Sequence, residues 1–323
     1  MKKKILVLAQ LPVAGLTALK ENFEVIYPER SFYFSDAEVQ EHLAIADGVL
    51  SVFTKPFKAD LLKLAPNVKI VSNYGVGYNN IDVEYATSNG IAVCNTPGAV
   101  TEPTAEMAMG LMIALMRRIC ETDRKLRNPS GLKWGMMENL GSSLWGKTLG
   151  IVGMGRIGRA ITRRAVASGM NVIYYNRTKP AVGAEESDAQ WVPFETLLEL
   201  SDIVSLSCPL TDETFHLMGD TQMQKMKTGA YLINTARGPV VDEQALVKNL
   251  LNGKLGGAGL DVFEDEPKIT PALFEFDNVV LTPHNATGTI DSRIMMAQEA
   301  SESIIRFFNG RKDIPIVNAV IWK

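Results

Sequence analysis

Three polar side chains, far apart in the chain, are of the types that together handle a carboxylate and a proton. They are Arg237 in NTARGPVVDEQAL, Glu266 in GAGLDVFEDEP and His284 in LTPHNATG. A guanidinium can grip a carboxylate through two parallel hydrogen bonds, and an imidazole can pass a proton to or from an oxygen near neutral pH. A carboxylate beside that imidazole would hold and charge it. Each residue alone has a plainer reading: Arg237 as a surface cation after a turn, Glu266 as a solvated charge before Pro267, His284 as a loop residue. Position makes them a set. Each follows a segment that reads as a β-strand, and in a doubly wound sheet the carboxyl ends of the strands line one crevice.

A second kind of chemistry is written in GMGRIG, Gly153 to Gly158, which lies between the apolar run TLGIV and the helical pattern RIGRAITRRAVASG. In this strand–turn–helix setting Gly153 turns the chain tightly, Gly155 lets backbone approach a pyrophosphate, and Gly158 lets helix pack on strand. Amides at the helix N-terminus then face negative charge. The similar run Tyr74-Gly75-Val76-Gly77-Tyr78 lacks the third glycine and a following helix, so it is no second nucleotide loop. After the next strand, NVIYY, an NAD site would carry Asp or Glu for the ribose hydroxyls; this chain has Asn176-Arg177-Thr178. A carboxylate would repel a 2′-phosphate, whereas neutral Asn176, cationic Arg177 and the Thr178 hydroxyl would bind it. The expectation is NADP(H) preferred over NAD(H).

The elements that must position these groups alternate. ILVLA, EVIYP, GVLSV, KIVSNYG and IAVCN read as strands between helical segments, and a second series runs from KTLGIV through DIVSLSCPL, GAYLINTA and GGAGLDVF to NVVLTPHNA. This pattern predicts an α/β fold of two doubly wound, Rossmann-like parallel-sheet domains. The amphipathic last segment, IDSRIMMAQEASESIIRFFNG, packs back on the first half in this reading, which makes the first domain discontinuous. Expected boundaries are 1–98 with 288–323 for a substrate-binding domain and 99–287 for a dinucleotide-binding domain, with hinges near Pro97-Gly98 and Ala286-Gly288. Thr101 is the expected N-cap of a long helix, TEPTAEMAMGLMIALMRR, and RNPSGLKWGMMENLGSSLWGK after it has no period and reads as an excursion.

Composition narrows the function further. The 323 residues include 33 Lys+Arg against 36 Asp+Glu, a net charge of -3 with no basic block, which argues against nucleic acid or an anionic membrane as partner. Cys94, Cys120 and Cys208 are odd in number and widely spaced, so neither a disulfide framework nor a metal site is expected, and a reducing cytoplasm suits them. MKKKILVLAQLP is broken by Gln10 and Pro12, short for a signal peptide and right for a first strand. The apolar stretch Met107 to Met116 is about half the ~20 residues of a membrane span.

GMGRIG, CPLTDET, INTARGPVVDEQAL, GAGLDVFEDEP and TPH, in this order and spacing, resemble the D-isomer-specific 2-hydroxyacid dehydrogenase family, most of all its glyoxylate/hydroxypyruvate reductase and 2-ketogluconate reductase branch. The similarity runs from NYGVGYNNID through NTPGAVTEPTAEMAMGLMIAL to the final helix. It implies Arg237, Glu266 and His284 as the catalytic set, and a substrate carboxylate held by Arg237, His284 and the amides of Val76 and Gly77. It also implies cofactor contacts from Thr104, Gly153, Gly155, Arg156, Ile157, Gly158, Asn176, Arg177, Thr178, Cys208, Pro209, Thr214, Ala236 and Asp261. The implied reaction is reduction of glyoxylate, hydroxypyruvate or a 2-ketoaldonate by NADPH, with His284 as proton donor and with domain closure excluding water. A homodimer formed through the dinucleotide domain is implied as well, with Thr101 to Arg118 as its interface element and the excursion around Trp134, Met136 and Met137 crossing toward the partner. Asn285, Ala286 and Asn79 depart from what many relatives carry, so substrate reach is open. The alternatives are an NAD-linked D-3-phosphoglycerate-type dehydrogenase and a dinucleotide-sensing binding protein; the chain shows no regulatory C-terminal domain for the first and no extended tail for the second.

Overall fold

The computed structural model describes residues 2–128, 131–181 and 188–322. Two compact units are formed, Met1–Pro103 with Thr287–Lys323, and Thr104–Ala286. The first half contributes β1 (Lys4–Val7), α1 (Thr17–Asn22), β2 (Glu24–Ile26), α2 (Asp36–Leu43), β3 (Gly48–Val52), α3 (Ala59–Leu62), β4 (Ile70–Tyr74), α4 (Val83–Ser88) and β5 (Ala92–Cys94). Then come α5 (Thr101–Met116), α6 (Ile119–Leu126), β6 (Thr148–Val152), α7 (Arg156–Ala167), β7 (Asn171–Tyr175), β8 (Gln190–Trp191) and α8 (Phe194–Leu200). The chain closes with β9 (Ile203–Leu206), α9 (Asp220–Lys225), β10 (Ala230–Asn234), α10 (Glu243–Leu251), β11 (Leu255–Leu260), β12 (Val279–Leu281) and α11 (Ile290–Phe308).

The first unit holds a five-stranded sheet in the order β2-β1-β3-β4-β5, every pair parallel. Strands such as GVLSV and IVSNY are buried along their whole length, as a sheet covered on both faces requires. One cover is α11, from the far end of the sequence. Met296, Ala297, Ala300 and Ile304 pack among Ile5, Leu16, Leu50 and Ile70, and the Ser72 hydroxyl donates to the Ala300 carbonyl at 3.0 Å. The fit is close: a Cβ added at Gly15 would lie 2.4 Å from the Ala297 Cβ. Without this apolar face the sheet would expose its core side, which is the physical reason the unit needs both ends of the chain.

The second unit is a seven-stranded sheet, again parallel throughout, ordered β12-β11-β10-β9-β6-β7-β8. From β6 the chain runs outward to β8 and returns on the other side of β6 as β9, so the order reverses between β6 and β9. That reversal opens a crevice at the carboxyl ends of the strands, where ligands of such sheets bind. The methionine-rich α5 covers one face, burying Met109, Met112 and Met116 among Leu149, Ile151 and Ile233. Its exposed residues are Glu102, Glu106, Gly110 and Ile113. Thr101 is the first helical residue rather than an N-cap: its hydroxyl donates to the Pro97 carbonyl at 2.9 Å. The helix also stops earlier than periodicity suggests, because Arg118 turns left-handed (φ 54°) to bond Glu121 and the Leu140 carbonyl. Beyond α6 the described residues to Lys147 form neither helix nor strand, and Trp134, Met136 and Met137 stand exposed. Pro129 and Ser130 of that excursion lie outside the described residues. Among the described residues no helix is long and apolar enough to cross a membrane.

Candidate active site

Asp261 follows β11 and is buried, 1% exposed. Its carboxylate accepts from the Thr282 hydroxyl at 2.7 Å and from the backbone amides of Asn285 and Ala286, each at 2.9 Å. The His284 amide in turn donates to the Asp261 carbonyl at 2.7 Å. These bonds hold the turn after β12 with His284 in the left-handed region, φ 48°, which costs a non-glycine residue about 1 kcal/mol or more. So placed, the ring meets Glu266, with Nδ1 2.6 Å from Oε2. A charge-assisted hydrogen bond of about 1.5–3 kcal/mol offsets the backbone strain.

Glu266 is fixed at its other oxygen, where Oε1 accepts from the Phe263 amide at 3.0 Å. Burial works to raise its pKa, but the hydrogen bond and charge of His284, the Phe263 amide and the charge of Arg237 outweigh it. The carboxyl is held below its ordinary range. Arg237 stands half-buried after β10; burial lowers its pKa while Glu266 opposes that. Asn234 braces its turn, donating to the Arg237 carbonyl and accepting from the Ala236 amide, both at 3.0 Å. Nη1 of Arg237 donates to the Ala236 carbonyl at 2.6 Å. Gly238 then passes so close to the Glu266 loop that a Cβ there would fall 1.7 Å from the Phe263 carbonyl oxygen.

The glycine loop divides its labour. Gly153 has φ 102°, and a Cβ on it would strike the backbone of Ser207 and Cys208 at 2.7–2.8 Å. Gly158 has the Gly153 oxygen 2.4 Å from its missing Cβ, so α7 packs directly on the turn. Gly155 faces open space, with nothing within 4 Å. This is the cradle a pyrophosphate would fill, at the amides of Arg156 and Ile157 that open α7. Buried polar atoms around the strand ends also lack a hydrogen-bond partner among the described residues: Ser205 and Ser207 at β9, Thr235 after β10 and Asn285 after β12. A dinucleotide fits this set, since buried polar groups are paired when their ligand is present.

The remaining residues named from the sequence fall in several roles. Asn176 uses its Oδ1 to accept from the Met154 amide at 2.7 Å, strapping the glycine loop and leaving the amide nitrogen as its donor. Arg177 and Thr178 are exposed, and Arg177 has the Glu213 carboxylate 3.8 Å away. The Thr214 hydroxyl is spent within its own loop, accepting from the Thr211 amide and donating to the Pro209 carbonyl, both at 2.7 Å. Cys208 is pushed up to about 11 by burial and stays a neutral thiol. Thr104 is buried on α5. Val76 and Gly77 belong to the other unit, in the loop after β4. Asn95 and Asn73 hold their carbonyls at 2.8 and 2.7 Å, while neither amide is hydrogen-bonded among the described residues. Sequence reasoning passed over Asn234, Gly238, Thr282 and His216, whose Nε2 lies 2.6 Å from Glu264; the scarcity of histidine, three in the chain, was the one signal pointing at His216.

The family profile described as D-isomer specific 2-hydroxyacid dehydrogenase, NAD binding domain, matches residues 109–286. The chain is 43% identical to a glyoxylate reductase of Korarchaeum cryptofilum, covering 100% of this chain and 98% of the relative. Among solved structures it is similar to a glyoxylate reductase from Paecilomyes thermophila (TM-score 0.88, 33% identity, 98% of each chain). A second is an NADPH-dependent glyoxylate/hydroxypyruvate reductase from Sinorhizobium meliloti in complex with NADP and malonate (TM-score 0.86, 32% identity, 98% of this chain and 97% of that one).

The two glycines give opposite outcomes. Gly158→Ala forces backbone apart, costing about 1–3 kcal/mol, so its melting temperature drops by about 2–4 °C for each kcal/mol lost. Gly155→Ala melts like the parent but binds dinucleotide at least about tenfold more weakly, a loss of ~1.4 kcal/mol. Undiminished dinucleotide affinity in a calorimetric titration of Gly155→Ala would remove the cradle from the site.

Proposed function

We propose a 2-oxo acid reductase activity for this chain, which belongs to the D-isomer specific 2-hydroxyacid dehydrogenase family, in its glyoxylate reductase branch. The enzyme is an NAD(P)-dependent oxidoreductase; its proposed substrates are glyoxylate, hydroxypyruvate or a 2-ketoaldonate, reduced to the D-2-hydroxy acid with NADPH preferred. The observation that carries this reading is the 2.6 Å contact between His284 Nδ1 and Glu266 Oε2, beside Arg237 at the carboxyl edge of one sheet. A nicotinamide dinucleotide held at the glycine loop would supply the hydride for C2 of the substrate. Nδ1–H of His284 faces Glu266, so the proton for the substrate oxygen leaves from Nε2, and Glu266 stabilises the charged ring. Arg237 and the amides of Val76 and Gly77 hold the substrate carboxylate and orient its carbonyl. The unit formed by both chain ends is the substrate-binding domain in this reading and the seven-stranded unit the dinucleotide domain.

NADPH preference rests on Asn176. Its neutral amide, with Oδ1 committed to Met154, presents a donor where an aspartate would present charge. Arg177 is available to the phosphate because its contact with Glu213 is long and both side chains are exposed, a pair that solvent screens. Exposed Trp134, Met136 and Met137 support a homodimer sealed by the excursion, since α5 turns its methionines inward. The three widely separated free thiols support a cytoplasmic setting.

His284→Ala is expected to lower kcat by about 10²–10⁴-fold and leave NADPH affinity nearly intact in a fluorescence titration; full turnover would sink the assignment. Asn176→Asp keeps the strap on Met154 but adds a like charge worth ~1–4 kcal/mol at close range. The ratio of kcat/KM with NADPH to that with NADH then falls at least about fivefold, and an unchanged ratio would remove Asn176 as its determinant. Glu266 carries the pH dependence. Its folded pKa is depressed, so the pair with His284 is intact above the carboxylate range and is lost as pH falls through the depressed value. The acid limb of kcat/KM therefore lies below about pH 4.3, the ordinary glutamate value; a limb above that would contradict the ionised pair. Sedimentation of the enzyme as a monomer would count against the dimer.

A further inference from the structure

The loop that carries Glu266 carries a second histidine–glutamate pair that the proposed reaction does not use. His216 Nε2 lies 2.6 Å from Glu264 Oε1. Both histidines sit in the left-handed region, at φ 49° and 48°, so each ring is delivered to its glutamate by a strained backbone. Glu264 is bound on two further counts. Its Oε2 accepts from the Glu243 amide at 3.1 Å, at the N-terminus of α10, and its own amide donates to Glu243 Oε1 at 2.8 Å. Glu243, only 4% exposed, is closed off by the Thr270 hydroxyl. The His216 amide donates to the Pro239 carbonyl at 2.8 Å, and Met218 bonds Val240, which fastens this pair to the turn that begins with Arg237.

From this arrangement we propose that His216 and Glu264 are positioning residues: they clamp the Phe263–Glu266 turn so that Glu266 meets His284 with Arg237 beside it. The proposal rests on the reductase reading above. Its geometric basis is that the turn is held from two sides. On the inner side Glu266 folds back to the Phe263 amide and reaches His284. On the outer side Glu264 is anchored to α10 and to His216, and between them Gly238 leaves no slack against the Phe263 carbonyl. The charged groups around the turn are Glu243 and His216 facing Glu264, Arg237 and His284 acting on Glu266, and exposed Asp265 and Lys268 at its tip. Removing the outer clamp frees two chain positions next to Glu266, and partners that orient a catalytic group commonly change its effect by about 10–100-fold.

His216→Asn and Glu264→Gln test this, each assayed alone and in a Glu266→Gln background, with melting temperature and NADPH affinity followed in parallel. The expected result is a loss of about tenfold or more in kcat, unchanged NADPH affinity, and an acid limb of kcat/KM moved to higher pH, because Glu266 loses the His284 hydrogen bond and charge that hold its carboxyl low. In the Glu266→Gln background neither change should lower kcat further. Glu264→Gln retains volume and can still accept from the Glu243 amide, so it reports even if His216→Asn fails to fold. Unchanged kcat with an unchanged acid limb overturns the proposal, as does the same additional loss in the Glu266→Gln background, or unfolding of both variants. A fully active Glu266→Gln enzyme is a different outcome: it removes the reductase mechanism itself.

Discussion

Asp261 is the group on which the site turns. A carboxylate buried to 1% exposure pays a large desolvation penalty unless hydrogen bonds surround it. Here they come from the loop it must shape: the Thr282 hydroxyl and the amides of Asn285 and Ala286. The same bonds hold His284 in a left-handed backbone and aim its ring at Glu266. Strand β11 brings Asp261 to the sheet edge, β12 brings His284 and β10 brings Arg237. The parallel sheet thus supplies proximity and the buried carboxylate supplies direction, and neither alone would assemble the group.

Direction also explains why so much backbone in this region is committed. Gly238 has no room for a Cβ against Phe263, Asn234 straps the Arg237 turn, and Glu264 is tied to both α10 and His216. A hydride and a proton must arrive at adjacent atoms, and misplacement by about 1 Å can lose about 10²-fold in rate. The rigidity sits in the seven-stranded unit, where all of these bonds lie. At the far end of the same sheet the demands are looser. Arg177 and Thr178 are exposed on a turn that needs only charge, while Asn176 alone is fixed because it also holds the glycine loop.

Much of the fold was legible because parallel strands buried on both faces write continuous apolar runs, and GMGRIG writes its own turn. The two sheets and the return of the last helix to the first sheet follow from those patterns. Arg237, Glu266 and His284 were legible as residues that follow predicted strands, and the structure brings them near one another. What periodicity does not encode is which side chain spends its hydrogen bonds locally. Thr214, named for a cofactor, closes its own loop; Thr101, named as a cap, bonds backward to Pro97; Arg118 breaks a helix whose apolar pattern shows no stop. His216 was hidden for the opposite reason, since its partner lies 48 residues away and nothing in either neighbourhood signals the other. The left-handed backbone at both histidines is equally silent in a sequence, because it is imposed from outside by Asp261 in one case and by the Pro239 turn in the other.

The central claim is a D-specific reduction of a 2-oxo acid. It is tested most directly by supplying hydroxypyruvate with NADPH and resolving the glycerate formed on a chiral column. The account predicts oxidation of NADPH matched mole for mole by D-glycerate. L-glycerate, or intact hydroxypyruvate beside an enzyme that binds NADPH, would contradict it.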